Sequence, residues 1–239
     1  MVERAVPRAP CGAFGLLDLD APVAANWPEF AAAGKASVLV RHLLSHPTGR
    51  GSPGCAKRTR WSSSTTEQAA IFSQLAPVPL AALTNPVAGA REANTAAWRA
   101  AEIPAANGHG TARAIAALYG IVAGRGSYGT HRVLSPEAAE RVREGQGACR
   151  DLVLGTGFKG ETEIGLGLWL SGSHRSYGPN PRAVGHDGFG GSCGLADPEA
   201  GVSLGYVMNR MGPHIADDPR KTALVDALCS ALRGRSGTV

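Results

Sequence analysis

The chain alternates between helix-like and strand-like hydrophobic spacing, and the strand-like stretches gather in its last third. Over 38–46, Leu39, Val40, Leu43 and Leu44 recur on one helix face, and Pro47 with Gly49 predicts the stop. Ahead of it, Leu16 to Val23 is an apolar and acidic run interrupted by Pro22, followed by a short segment over 24–30. Residues 111–123 place Ala114, Ile115, Leu118 and Val122 on one face, with Gly124 as the terminator. Ser135-Pro136-Glu137 predicts a further helix start: a hydroxyl cap, proline at the first helical position, then an acid near the positive end of the dipole. Ile164, Leu166, Leu168 and Leu170 alternate as on a strand, with two glycines between them.

Three short strands are predicted next, over 182–186, 192–196 and 202–208. Asp197-Pro198-Glu199-Ala200-Gly201 supplies turn chemistry between the last two. In the last strand Val202, Leu204, Tyr206 and Met208 share the face expected to be buried. Asp217-Asp218-Pro219 then opens a terminal helix with a Leu224, Leu228, Ala231 and Leu232 stripe, ended by Gly234. The sum is α+β: an antiparallel meander covered by helices.

The middle of the chain is different. Residues 51–66, GSPGCAKRTRWSSSTT, hold almost no aliphatic side chain and no period, so they read as loop or disorder. Residues 67–106 are alanine-rich and carry Pro77, Pro79, Pro86 and Pro104, which predicts a reduced helical part built of short helices. The expected organisation is an atypical segment over 1–15, one domain over 16–239, and within it a C-terminal α/β part over 107–233.

Composition narrows the class. A hydrophobic share of 44% over 239 residues is enough for a core. Glycine (32) and proline (16) together make about a fifth of the chain, below the ~25–30% that marks low complexity. No apolar run reaches the ~20 residues of a membrane span, and the first residues have no apolar signal core. The five cysteines, Cys11, Cys55, Cys149, Cys193 and Cys229, are scattered without a C-x-x-C pair. That argues against a disulfide framework or zinc site and for a reducing, cytoplasmic setting. The net charge is +5, and the densest basic stretch, Arg50, Lys57, Arg58 and Arg60 with Trp61 at its edge, reads as a solvated loop, so no nucleic-acid partner is expected.

Several motifs invite chemistry. Gly190-Gly191-Ser192-Cys193-Gly194 fits G-x-S-x-G, but the residues after it lead to a hairpin rather than the helix of a nucleophile elbow. His42 and His46 have metal-ligand spacing on a helix, yet Leu43 stands where a zincin has glutamate, so helix-end capping and packing are preferred and no metal is expected. His109 lies between two glycines ahead of a helix, where a flexible loop explains it. Neither a Walker loop nor a dinucleotide fingerprint is present, and no cofactor is expected.

The most informative stretch is Val184-Gly185-His186-Asp187-Gly188-Phe189-Gly190-Gly191-Ser192, followed by Gly194-Leu195-Ala196-Asp197-Pro198-Glu199. It resembles the strand and hairpin of the serine β-lactamase and penicillin-binding-protein superfamily, in its class C-like esterase branch, where histidine-x-glycine often replaces Lys-Thr-Gly. Val40 to Gly49 resembles that family's R-x-L-L-[ST]-H-T-[SA]-G segment, with Leu17 to Val23 ahead of it. Gly108–Tyr119 and Tyr206–Asn209 resemble a later helix entry and the terminal strand. The resemblance covers about 16–50 and 100–233.

The resemblance implies a β-lactamase-like fold and hydrolysis of a small ester or amide through an acyl-serine. It places His186, Asp187 and Gly188 at the Lys-Thr-Gly position and makes the Phe189 backbone N–H an oxyanion donor. It also implies a serine in Ser-x-x-Lys and a tyrosine in Tyr-x-Asn. No serine here has lysine three residues later, and Tyr119, Tyr128, Tyr177 and Tyr206 are followed at the second position by Ile, Thr, Pro and Met. A hydroxyl nucleophile needs a base to take its proton. The chain is therefore expected to be a truncated, inactive or impaired member whose incomplete sheet leaves an edge open to self-association. The alternatives are a non-catalytic ligand- or partner-binding module on the same frame, and activity through a substitute nucleophile such as Ser192.

Overall fold

A computed structural model describes residues 18–44, 77, 80, 95–101, 103, 108–149, 162–172, 176–209, 212, 214 and 216–236. The expectations for 1–15 and 51–66, most of 67–106, His46 and the basic stretch lie outside these residues.

The strands are β1 (Ser127–Tyr128), β2 (His131–Arg132), β3 (Ala148–Cys149), β4 (Thr162–Glu163), β5 (Trp169–Leu170), β6 (Val184–Asp187), β7 (Cys193–Asp197) and β8 (Val202–Tyr206). β1 pairs with β2 and β3 with β4, while β5-β6-β7-β8 form one antiparallel sheet. Its register sets His186 opposite Gly194, and Gly194 opposite Gly205. Those two glycines lie on one face, and the Ala112–Ala123 helix rests there: a Cβ at Gly194 would overlap the Tyr119 ring, and one at Gly205 the Ala112 carbonyl. The terminal helix, Pro219–Ser236, covers the other face, where Val225 and Cys229 pack with Leu195, Tyr177 and Trp169. The expected α+β class, an antiparallel sheet flanked by helices, is what forms.

The helix starts follow their caps. The Thr111 hydroxyl accepts from the Ala114 N–H at 3.2 Å, and the Ser135 hydroxyl from Ala138 at 3.1 Å, with Pro136 first in its helix. His42 lies in the Val40–Leu44 helix, and its Nδ1 accepts the Leu39 N–H at 3.1 Å, a helix-end contact.

Three details depart from the hydrophobic pattern. Residues 164–170 are not one strand: Ile164 bridges Trp169, and the chain reverses between them, closed by Gly165 N–H to Leu168 O at 2.8 Å. Gly167 takes φ +82°, which a side chain would resist. Its leucines therefore part: Leu166 packs on Leu19, Val23 and Val40, while Leu168 and Leu170 pack on Ala123, Val184 and Ala196. The 112–123 helix is rotated from the expected face, leaving Leu118 65% exposed and turning Tyr119 to the sheet. In the terminal helix the inward stripe runs through Lys221, Val225, Leu228 and Cys229, and Leu224 is 38% exposed. A lysine carries no hydrophobic signal, so the inward stripe lies about one residue away from the predicted one.

β8 also differs, being half-buried on both faces instead of one. The Ser203 hydroxyl donates to the Ala116 carbonyl at 2.9 Å on the helix side, and Leu204 packs toward Val225 on the other. At the far end of the sheet, buried Arg143 donates to the Arg182 carbonyl at 3.0 Å and to Glu199 at 2.8 Å. It also donates to Glu140 at 2.9 Å, which ties the 136–141 helix to the β7–β8 turn. Buried Asp197 accepts from the Asn180 amide and the Ala200 N–H, each at 3.0 Å, fixing that turn from within.

Candidate active-site cleft

The cleft opens at the end of β6, beneath the 112–123 helix. It encloses about 310 Å³ and is lined by Ile115, Tyr119, Gly167, His186, Gly188, Ser192, Cys193 and Gly194. His186 stands exposed on β6, its ring stacked on Trp169 at 4.4 Å and 18°. Strand alternation sends Asp187 the opposite way. There its Oδ2 accepts the Asp217 N–H at 2.8 Å and faces the Lys221 ammonium at 3.4 Å. Lys221 is itself buried and lies 4.5 Å from the centre of the Tyr177 ring. The four resemblance-based site residues thus divide: His186 and Gly188 line the cleft, Asp187 anchors β6 to the terminal helix, and Phe189 sits at the hairpin tip, 36% exposed.

That tip is a β-turn. The Gly191 N–H donates to the Gly188 carbonyl at 3.0 Å, and Gly190, the third residue, has φ +92°. A positive φ at this position alone defines type II, for which glycine is the fitting residue. Gly188 N–H donates to Ser192 O at 2.7 Å and Gly190 N–H to His214 O at 3.0 Å. The Phe189 N–H, at the second turn position, has no acceptor among the described residues. Ser192 leads straight into β7, so the G-x-S-x-G stretch is a hairpin tip and not a strand-to-helix elbow.

Two titratable groups of the cleft wall, Cys193 and Tyr119, are held neutral. Burial pushes the Cys193 thiol up to about 11, with Asp187 adding to the shift, so it is a thiol and a poor nucleophile at neutral pH. Burial likewise raises the Tyr119 phenol far above its ordinary value, with Cys193 and Asp187 contributing. Tyr119 is therefore a neutral hydroxyl in the cleft wall. No group of three or more metal-ligating side chains occurs among the described residues, and no described helix is long and apolar enough to cross a membrane.

Motif reading missed Tyr119, Ile115, Trp169 and Lys221. The sign the sequence carries for Tyr119 is Gly194 inside the predicted 192–196 strand, since a strand glycine marks close approach by a neighbour, here the Tyr119 ring.

Comparison with known proteins gives this fold its class. The Beta-lactamase family model matches residues 14–80 and 55–228, so the chain belongs to the β-lactamase family. It is 36% identical over 115 residues to the esterase/beta-lactamase LipL of Mycobacterium tuberculosis (strain ATCC 25618 / H37Rv), a match covering 46% of this chain. The chain spans only 24% of that relative's length. Among solved structures it is similar to a family VIII carboxylesterase, with TM-score 0.74 and 29% identity over 90% of this chain and 77% of the other. It is also similar to a penicillin-binding-protein homologue from Caulobacter crescentus, with TM-score 0.71 and 27% identity over 87% and 75%.

Proposed function

We propose that these residues form the substrate-binding and oxyanion-binding side of a family hydrolase acting on small esters or amides, and that the 239-residue chain alone does not turn substrate over. One observation carries the reading: the cleft presents His186, the turn between its lining residues Gly188 and Ser192 leaves the Phe189 N–H without an acceptor among the described residues, and no serine in the chain has lysine one helical turn on. Fixed N–H donors stabilise a tetrahedral oxyanion only once a nucleophile has attacked. Without that nucleophile, residual catalysis is all that remains. The cleft wall carries no free cation from Lys221, which faces Asp187 on the other side of β6, so a neutral ester suits it better than a carboxylate-bearing β-lactam. Hydrolysis of 4-nitrophenyl butyrate is expected at the rate of a Ser192→Ala, Ser45→Ala control; a clear excess over that control overturns the proposal.

A second reading, a non-catalytic binding module, is favoured by the intact Trp169–His186 stack in an open cleft. Saturable ester binding without product, abolished by His186→Ala, supports it. Self-association is part of the proposal: β8 ends the four-stranded sheet, and no strand pairs with its outer edge among the described residues. Size-exclusion chromatography tests this, a stable monomer at micromolar concentration counting against it. The free thiols of Cys193 and Cys229 support a cytoplasmic setting.

A further inference from the structure

We infer that Arg220 is a positioning residue that strengthens and aims the Phe189 N–H through a relay of two peptide units. The inference rests on the reading of that N–H as an oxyanion donor. Arg220 Nη2 donates to the Gly190 carbonyl at 2.8 Å. The same peptide unit presents the Gly191 N–H, which donates to the Gly188 carbonyl at 3.0 Å. That carbonyl belongs to the peptide unit whose other end is the Phe189 N–H. A guanidinium charge at one end of such a chain polarises each amide in turn, and the outermost N–H becomes the better donor.

The guanidinium is itself fixed. Its Nε and Nη2 donate to the two oxygens of buried Asp218 at 2.8 and 2.6 Å, a bidentate pair. The Arg220 hydrogen bonds hold the Asp218 carboxyl down to about 2, against the effect of burial, so the pair stays charged through neutral and mildly acid pH. The Gly212 N–H adds a second donor to the Gly190 carbonyl at 2.8 Å, and His214 O accepts from the Gly190 N–H. The two peptide units that meet at Gly190 are therefore both tied down, the first through its N–H and the second through its carbonyl, so neither can rotate without breaking a hydrogen bond.

The test compares two probes on the full chain: benzyl methylphosphonate, a tetrahedral anion, and benzyl acetate, its neutral planar counterpart. Arg220→Gln, which keeps a donor but loses the charge, is expected to weaken the phosphonate about tenfold and the acetate less than twofold. It should also move the Phe189 amide proton upfield in NMR, while Arg220→Lys keeps most of the affinity. Phe189→Pro removes the N–H, and proline suits the second position of a type II turn. In that background Arg220→Gln should leave phosphonate affinity unchanged. Equal weakening of both probes, an unmoved Phe189 amide, or the same loss in the Phe189→Pro background overturns the relay. Unchanged phosphonate affinity in Phe189→Pro alone overturns the oxyanion reading instead.

Discussion

Lys221→Met probes the anchor that holds the cleft strand from behind. The Asp187 and Lys221 side chains are 4% and 3% exposed, so neither charge is repaired by water. Methionine keeps the length of the stem beneath Tyr177, and the packing loss is small. What disappears is the ammonium: Asp187 Oδ2 keeps only the Asp217 N–H at 2.8 Å, and Oδ1 has no partner to begin with. Breaking one side of a buried pair costs about 3–5 kcal/mol. At ~2–4 °C per kcal/mol for a chain of this size, the melting temperature falls by roughly 6–20 °C. The assay is thermal unfolding followed by circular dichroism at pH 7. Adding Asp187→Asn should recover a good part of the loss, because an amide is far cheaper to bury than a lone carboxylate. A single variant melting within ~2 °C of the parent, less than the shift from 1 kcal/mol, refutes the anchor.

Arg143→Ala should cost about 1–3 kcal/mol, since the charged hydrogen bonds to Glu140, Glu199 and the Arg182 carbonyl are lost while water reaches the two partly exposed carboxylates left behind; urea unfolding measures it. Desolvation works to raise the Glu199 carboxyl, but the Arg143 hydrogen bonds outweigh it and hold the group below its usual range. That contribution is thus present above the unfolded value of ~4.3 and lost as pH falls through the folded one, so the variant should show a flatter acid-stability profile. Gly194→Ala drives a methyl into the Tyr119 ring and should cost about 1–3 kcal/mol, read as a lower melting temperature. Cys193, buried and with its thiol raised to about 11, should resist iodoacetamide at pH 7.5 until the chain unfolds; peptide mass mapping of the folded protein checks this.

Much of the frame was legible because local chemistry and long-range packing agree there. Thr111 and Ser135 cap the helices that their positions announce, and the Asp197–Gly201 turn joins β7 to β8 as its proline and glycine require. Reading failed where packing overrode the pattern. The leucines of 164–170 alternate like a strand yet go to two different clusters, because glycine at 167 lets the chain reverse. The terminal helix turns on a buried ion pair that no hydrophobic count can see. Of the site, His186 and the turn at Phe189 were legible from the motif, whereas Tyr119 reaches the cleft through packing of the 112–123 helix on the sheet, and Trp169 reaches His186 through the pairing of β5 with β6.

We propose that these 239 residues hold a hydrolase's binding cleft without a primed nucleophile. Intact-mass spectrometry of the purified chain after incubation with a fluorophosphonate tests it most directly. The account predicts an unchanged mass. A stoichiometric adduct on one serine, abolished by prior unfolding, would contradict it.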